Sequence, residues 1–350
     1  MKIATILGAR PQFIKAALVS KNIKKNTSLD EIIIHTGQHY EKNMSDIFFE
    51  EMMIPKPKYN LNINQKKYEL MIEKMTKGVY NALKQESADG VIVYGDTNST
   101  LAGSFAANKL NIPIFHIESG LRSYDRTMHE EINRIITDHL SALLFVPTKC
   151  AMQNLNEENI TKDIIFSGDV MLDAYKFFSN QLNARKYILP KSPYILATIH
   201  RRENICSKEK LSAIFNDLEK INSQVKVIMP IHPHTKKKLK DFKIQSKINF
   251  INPLGYQSML AYLNGCEMVV CDSGGLQKES FFAKKKCIVV RKNTEWTELI
   301  LEKTSMLSNC NKIFETFKEI KQRKVSFSKN LYGNGNACDI IANSVSKYFC

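Results

Sequence analysis

Short, almost unbroken apolar runs recur along this chain, each closed by glycine or a polar residue and followed by a stretch of helical periodicity. Such runs suit parallel strands covered on both faces, because a half-exposed strand alternates apolar and polar side chains. The spacing predicts strands at Lys2–Leu7, Glu31–His35, Gly90–Tyr94, Pro113–Ile117, Leu143–Val146 and Ile164–Ser167. A second series follows at Tyr194–Ile199, Val225–Pro230, Ile248–Ile251, Met268–Cys271 and Cys287–Val290. Strand and helix alternating in two series predict an α/β protein of two Rossmann-like, doubly wound domains. At 350 residues the chain also exceeds the usual size of one domain. The expected division is an N-terminal domain over 1–170, a C-terminal domain over 171–330, and a helix in 331–350 packing back on the first.

Composition narrows the class. No apolar run reaches membrane-spanning length, and Met1–Leu7 breaks too early at Gly8-Ala9-Arg10-Pro11 to be a signal peptide. A cytoplasmic protein with no membrane partner is expected. The eight cysteines form no C-x-x-C pair and several lie in apolar runs, so buried free thiols are expected rather than disulfides or zinc. The formal charge of +15 fits either a nucleic-acid surface or an affinity for anionic small molecules. Much of the excess is scattered lysine, as at Lys236–Lys238, and no nucleic-acid-binding signature is present, so no nucleic-acid partner is expected.

In doubly wound sheets ligands bind beyond the carboxyl ends of the strands, and polar clusters stand there repeatedly. Gly8-Ala9-Arg10-Pro11-Gln12-Phe13-Ile14-Lys15 is either an anion-binding turn, with Arg10 and Lys15 adding charge, or an ordinary strand–helix turn. Thr36-Gly37-Gln38-His39-Tyr40 lines a cleft or is a capped turn. In Tyr94-Gly95-Asp96-Thr97-Asn98-Ser99, Asp96 is a ligand-facing carboxylate or a helix cap. Glu118 ends the next strand in His116-Ile117-Glu118-Ser119-Gly120-Leu121-Arg122, and Glu130-Glu131 with Asn133-Arg134 follow shortly after. Carboxylates converging on one cleft raise one another's pKa, which prepares groups for proton transfer. In the second half, His200-Arg201-Arg202-Glu203-Asn204 offers a general acid, a base or a phosphate donor. His232 belongs to a proline-flanked turn that is as readily structural. In Asp272-Ser273-Gly274-Gly275-Leu276-Gln277-Lys278-Glu279, two glycines let the backbone approach a diphosphate closely, and Glu279 stands where it can accept from a ribose diol.

In this order, Gly8-Ala9-Arg10-Pro11, His35-Thr36-Gly37-Gln38-His39, Gly95-Asp96-Thr97-Asn98-Ser99, His116 to Arg122, Glu130-Glu131-Ile132-Asn133-Arg134, His200 to Asn204 and Asp272-Ser273-Gly274-Gly275 resemble the non-hydrolysing UDP-N-acetylglucosamine 2-epimerase family across nearly the whole chain. The resemblance implies a glycosyltransferase-B-like pair of domains with the ligand cleft between them, the second binding UDP. It also implies a homodimer, and no metal or other cofactor. It implies catalytic roles for Asp96, Glu118, Glu130 and His200, and UDP-sugar contacts for Arg10, Lys15, Ser273, Gly274, Gly275 and Glu279. Gln38, His39, Arg122, Arg201 and His232, in the same strand-end motifs, are counted with the substrate-binding set, and Tyr256 is the candidate for the uracil pocket. The implied reaction inverts C2 of the sugar by elimination and re-addition of UDP, for surface-polysaccharide precursors. A hydrolysing epimerase and a UDP-sugar transferase are the alternatives.

Several positions depart from the commonest pattern of that family, Leu254 and Met259 among them. Gln12 replaces Glu, His129 replaces Pro, and Trp296 in Thr294-Glu295-Trp296-Thr297-Glu298 replaces a substrate-contacting Arg. Phe48-Phe49, Phe281-Phe282 and Leu331-Tyr332-Gly333 are more similar to the subgroup acting on modified sugars, which includes UDP-2,3-diacetamido-2,3-dideoxyglucuronate 2-epimerases.

Overall fold

The computed structural model describes residues 1–37, 54–65, 67–182, 187 and 189–350, with the Arg10 side chain left out. The chain divides into two compact units, Met1–Ala174 with Asn330–Cys350, and Tyr175–Lys329. In the first, the strands in chain order are β1 (Lys2–Leu7), β2 (Asp30–His35), β3 (Tyr59–Asn60), β4 (Gly90–Tyr94), β5 (Ile114–Ile117), β6 (Leu143–Val146) and β7 (Ile164–Phe166). They form a seven-stranded parallel sheet in the order β3-β2-β1-β4-β5-β6-β7. In the second unit, β8 (Tyr194–Thr198), β9 (Lys226–Pro230), β10 (Asn249–Ile251), β11 (Met268–Cys271), β12 (Lys286–Val289) and β13 (Ser305–Leu307) form a six-stranded parallel sheet, β10-β9-β8-β11-β12-β13. Two Rossmann-like folds result. The sequence pattern missed β3 and β13, which are too short to make an apolar run.

Both sheets reverse direction of growth beside their first strand: β1 lies between β2 and β4, and β8 between β9 and β11. Connections leave such a strand toward opposite faces, so the turns after the flanking strands diverge and open a crevice at the carboxyl edge. The core of the first unit joins Ile6, Ile34 and Val93 of the sheet to Val79, Leu83 and Ala106 of two covering helices. One of these, Asn98–Lys109, is rich in small residues. A Cβ on Gly103 would lie 3.1 Å from Ile6 and 3.2 Å from Val93, so glycine permits the close approach that sets the helix start beside β4. Thr97 caps that start by accepting the Thr100 N–H at 3.3 Å. The second unit has its own core around Ile195, Ala197, Phe215, Val270 and Phe317.

The helix Ala337–Tyr348 belongs to the first unit: Asp339 accepts from Asn26 at 2.8 Å and the Tyr348 ring meets Phe115 edge-on at 5.1 Å. All eight cysteines are free. Cys266, Cys271, Cys287 and Cys338 are buried as the apolar pattern suggested, whereas Cys206 and Cys350 are exposed. Among the described residues no helix is long and apolar enough to cross a membrane.

Candidate active site

In the first unit the site grows from the turns around β1. Gly8 ends β1 where a Cβ would sit 2.0 Å from the Ser99 hydroxyl and 2.1 Å from that of Thr36, so only glycine lets the β1, β2 and β4 turns meet. Pro11 opens the following helix, Arg10–Asn26. The Gln12 carbonyl accepts the Gly8 and Ala9 N–H groups at 2.9 and 3.0 Å, and its amide donates to the Tyr94 carbonyl and the Thr100 hydroxyl, both at 3.0 Å. Of the two readings of this turn, these bonds fit the ordinary strand–helix turn, because Gln12 holds the Gly8 and Ala9 amides. Gln38 and His39, and the pair Phe48-Phe49, lie outside the described residues.

The next two turns carry the acids. Gly95, in the left-handed region at φ 61°, directs Asp96 away from β4, and Arg134 donates to the Asp96 carboxylate at 2.6 Å. Asn133 donates to the Asp96 carbonyl at 2.9 Å and to Asn98 at 3.1 Å, and Tyr68 donates to Asn133 at 3.0 Å. Glu118 also has a left-handed backbone, φ 69°, which costs a non-glycine residue on the order of 1 kcal/mol. Its amide and that of Ser119 both donate to the Phe145 carbonyl at 3.1 Å, which holds the strained turn. Lys15 forms a close ion pair with the Glu118 carboxylate. Both partners lie 3.3 Å from where a Gly95 Cβ would stand, so Lys15, Glu118 and the Asp96 turn form one cluster. Mutual repulsion of bare carboxylates was expected; instead Lys15 pairs with Glu118, and Arg134 pairs with Asp96 and with Glu131.

Glu130 does not join this cluster directly. It is exposed at the start of the helix His129–Leu140, where its charge raises the pKa of the Tyr68 hydroxyl after the larger effect of burial. His129, the departure from Pro, stacks on Tyr68 at 3.9 Å. Its neighbour Glu131 is buried and structural, accepting from the Ser123 amide and hydroxyl and from the Tyr124 amide.

Arg122, counted with the substrate-binding set, stands in a buried network of charges. It is 2% exposed, bidentate to Glu158 at 2.6 and 2.7 Å, and donates to Asp138 and the Leu121 carbonyl at 2.7 Å each. Asp138 also meets the His116 ring at 2.7 Å and accepts the Gly120 amide at 3.1 Å. Burial opposes ionisation of Asp138, but the charges and hydrogen bonds of His116 and Arg122 outweigh it and hold its pKa below the usual aspartate value.

In the second unit Asp272 is the hub. Fully buried at the end of β11, it accepts the amides of His200 and Arg201 at 3.0 and 2.9 Å and the Asn204 side chain at 3.0 Å. One carboxylate thus ties the turn after β8 to the turn after β11 across the reversal point. The His200 side chain is 42% exposed, 3.8 Å from Asp272 and 5.8 Å ring to ring from His232. His232 caps the helix Pro233–Asp241, its Nδ1 accepting the His234 amide at 3.2 Å. Arg201 is half-buried and 3.7 Å from Glu203.

Ser273 starts the helix Gly274–Phe282, with a long 3.4 Å cap to the Leu276 amide. The two glycines differ. A Cβ on Gly274 would meet Glu295 at 2.6 Å, whereas one on Gly275 would meet nothing within 4 Å. Packing demands the first glycine; the second leaves its backbone approachable, with the helix N-terminus behind it. Glu279 lies buried on the same helix. Tyr256, the candidate for the uracil pocket, is a core ring, 4% exposed and edge-on to Phe178 at 5.5 Å. Trp296 is buried, and the ammonium of Lys278, itself 1% exposed, lies 4.0 Å over its ring. Among the described residues no group of three or more His, Cys, Asp or Glu side chains is set to hold a metal ion.

Sequence reasoning missed Asp138, and it quoted Arg134, Asn133 and Asp272 only as parts of motifs. The sign was present: the buried face of the helix His129–Leu140 carries Glu131, Asn133, Arg134, Thr137 and Asp138, polar residues where an amphipathic helix presents apolar ones.

The family model described as UDP-N-acetylglucosamine 2-epimerase matches residues 21–346. A protein of Methanococcus maripaludis named UDP-N-acetylglucosamine 2-epimerase homolog is 45% identical over 96% of this chain and 97% of its own. UDP-2,3-diacetamido-2,3-dideoxy-D-glucuronate 2-epimerase of Pseudomonas aeruginosa is 42% identical over 99% of this chain and 100% of its own. The crystal structure of Methanocaldococcus jannaschii UDP-GlcNAc 2-epimerase in complex with UDP-GlcNAc and UDP superposes with a TM-score of 0.91 at 38% identity, covering 99% of this chain and 100% of that one.

Proposed function

This chain belongs to the UDP-N-acetylglucosamine 2-epimerase family, and from that premise we propose that it inverts C2 of UDP-GlcNAc, or of a 3-acetamido uronate relative, without net hydrolysis. The observation that carries the proposal is the cluster of Asp96, Glu118 and Lys15 on adjacent turns, two acids each paired with a cation. Proton transfer at carbon needs such groups held close and oriented.

A carboxylate of this cluster takes the C2 proton. The C–H electron pair forms the C1–C2 double bond, and the C1–O bond breaks with its electrons leaving on UDP. In the return step a diphosphate oxygen attacks C1, and C2 takes a proton on the opposite face. Asp96 and Glu118 act on the sugar, with Glu130 acting from the rim. The Ser273-Gly274-Gly275 turn, Glu279 and His200 hold the nucleotide. His200 and the helix N-terminus neutralise the departing diphosphate. The Lys278–Trp296 stack, at a residue that departs from the commonest family pattern, supports testing the uronate sugar beside UDP-GlcNAc. The enzyme acts in the cytoplasm as a homodimer, which light scattering of the purified chain tests.

Incubation with each UDP-sugar in D₂O, followed by proton NMR, tests the reaction. Deuterium at C2 together with the 2-epimer as UDP-sugar is expected. No uptake from either sugar by folded protein would overturn the proposal, and free 2-acetamido sugar as the product would replace it with hydrolysis.

A further inference from the structure

His116 is fully buried, yet both of its ring nitrogens are engaged. Nε2 lies 2.8 Å from the Gly95 carbonyl, which can only accept, so Nε2 carries a proton. A second proton lies between Nδ1 and the Asp138 carboxylate, 2.7 Å away. The other oxygen of Asp138 accepts the Gly120 amide and an Arg122 N–H. The chain of contacts therefore runs from Gly95, the residue before Asp96, through the ring and the carboxylate to Gly120, two residues after Glu118. Gly95, Glu118 and Gly120 all hold left-handed backbone, at φ 61°, 69° and 77°. A second link closes the ring, because the Gly95 amide donates to the Ile117 carbonyl at 2.9 Å. Satisfying buried polar groups does not by itself require that the two ends of such a bridge be the turns carrying the two acids.

We propose that His116 and Asp138 are positioning residues that set the spacing of Asp96 and Glu118, while Arg122 and Glu158 neutralise and anchor the outer end of the bridge. Neither His116 nor Asp138 touches the reacting atoms. The role rests on the epimerase reading for its rate assay and on geometry for the rest. Displacing a reacting group by about 1 Å costs on the order of 100-fold in rate. His116→Ala is expected to lower kcat for C2 deuterium uptake by about that factor, and Asp138→Asn comparably. His116→Gln, whose side-chain amide reaches the ε position, should recover part of the loss. The Kd for UDP, measured by calorimetry, should stay at the wild-type value in all three.

In wild-type protein, long-range ¹H–¹⁵N spectra should show the His116 Nε2 protonated and hydrogen-bonded, a readout that requires no variant to fold. No deuterium uptake by wild type would sink the epimerase reading alone. Normal uptake by wild type with unchanged kcat in folded His116→Ala or Asp138→Asn, or an unprotonated Nε2, would overturn the positioning role.

Discussion

The polar clusters of the two units stand at equivalent places in two similar sheets and are built by opposite means. In the first unit the acids are held by charge: Lys15 on Glu118, Arg134 on Asp96, and a buried His–Asp–Arg–Glu chain behind them. In the second unit a single buried carboxylate, Asp272, gathers main-chain amides, and the exposed edge is glycine backbone and a half-free histidine. Groups that move protons need fixed geometry, which paired charges and strained turns supply. A diphosphate needs N–H groups and room, which a glycine turn at a helix start supplies.

Substitutions can break this contrast. Glu118→Gln removes a proton acceptor but keeps its shape, and should lower C2 deuterium uptake on the order of a thousandfold while UDP binding persists. Asp272→Ala leaves two main-chain amides and Asn204 without their acceptor. It should destabilise the second unit by about 3 kcal/mol and abolish UDP binding, read by denaturant unfolding and calorimetry. Equal loss of UDP binding in both variants would erase the distinction between the two clusters. Gly275→Ala should leave the melting temperature unchanged and weaken UDP about tenfold, whereas Gly274→Ala, which drives a methyl into Glu295, should lower the melting temperature first.

The smallest effect concerns stability away from the acids. Hydrogen bonds from Lys58, then Tyr59, then Lys2 hold Glu86 at a pKa of about 2, against 4.5 for a free glutamate. A lowered folded-state pKa gives stability that is full above pH 4.5 and is lost as pH falls toward 2. The melting temperature of wild type should therefore fall more steeply than that of Glu86→Gln across that window, with the UDP affinity of both proteins equal at pH 7.

Most of the architecture was legible because parallel strands buried on both faces write themselves as apolar runs. Lys2–Leu7, Gly90–Tyr94, Leu143–Val146 and Met268–Cys271 carry the same bounds in pattern and structure. The strand ends, and hence Asp96, Glu118, His200 and Ser273, followed from the same runs. Only the tertiary structure could decide which polar groups face one another. Gln12 closes the amides that looked ready for an anion, Arg122 is consumed by Asp138 and Glu158, and Tyr256 turns into the core. Sequence spacing sets where a side chain leaves the backbone. Its partner is set by segments that fold beside it from far along the chain, as Lys15 meets Glu118 and Asp272 meets His200.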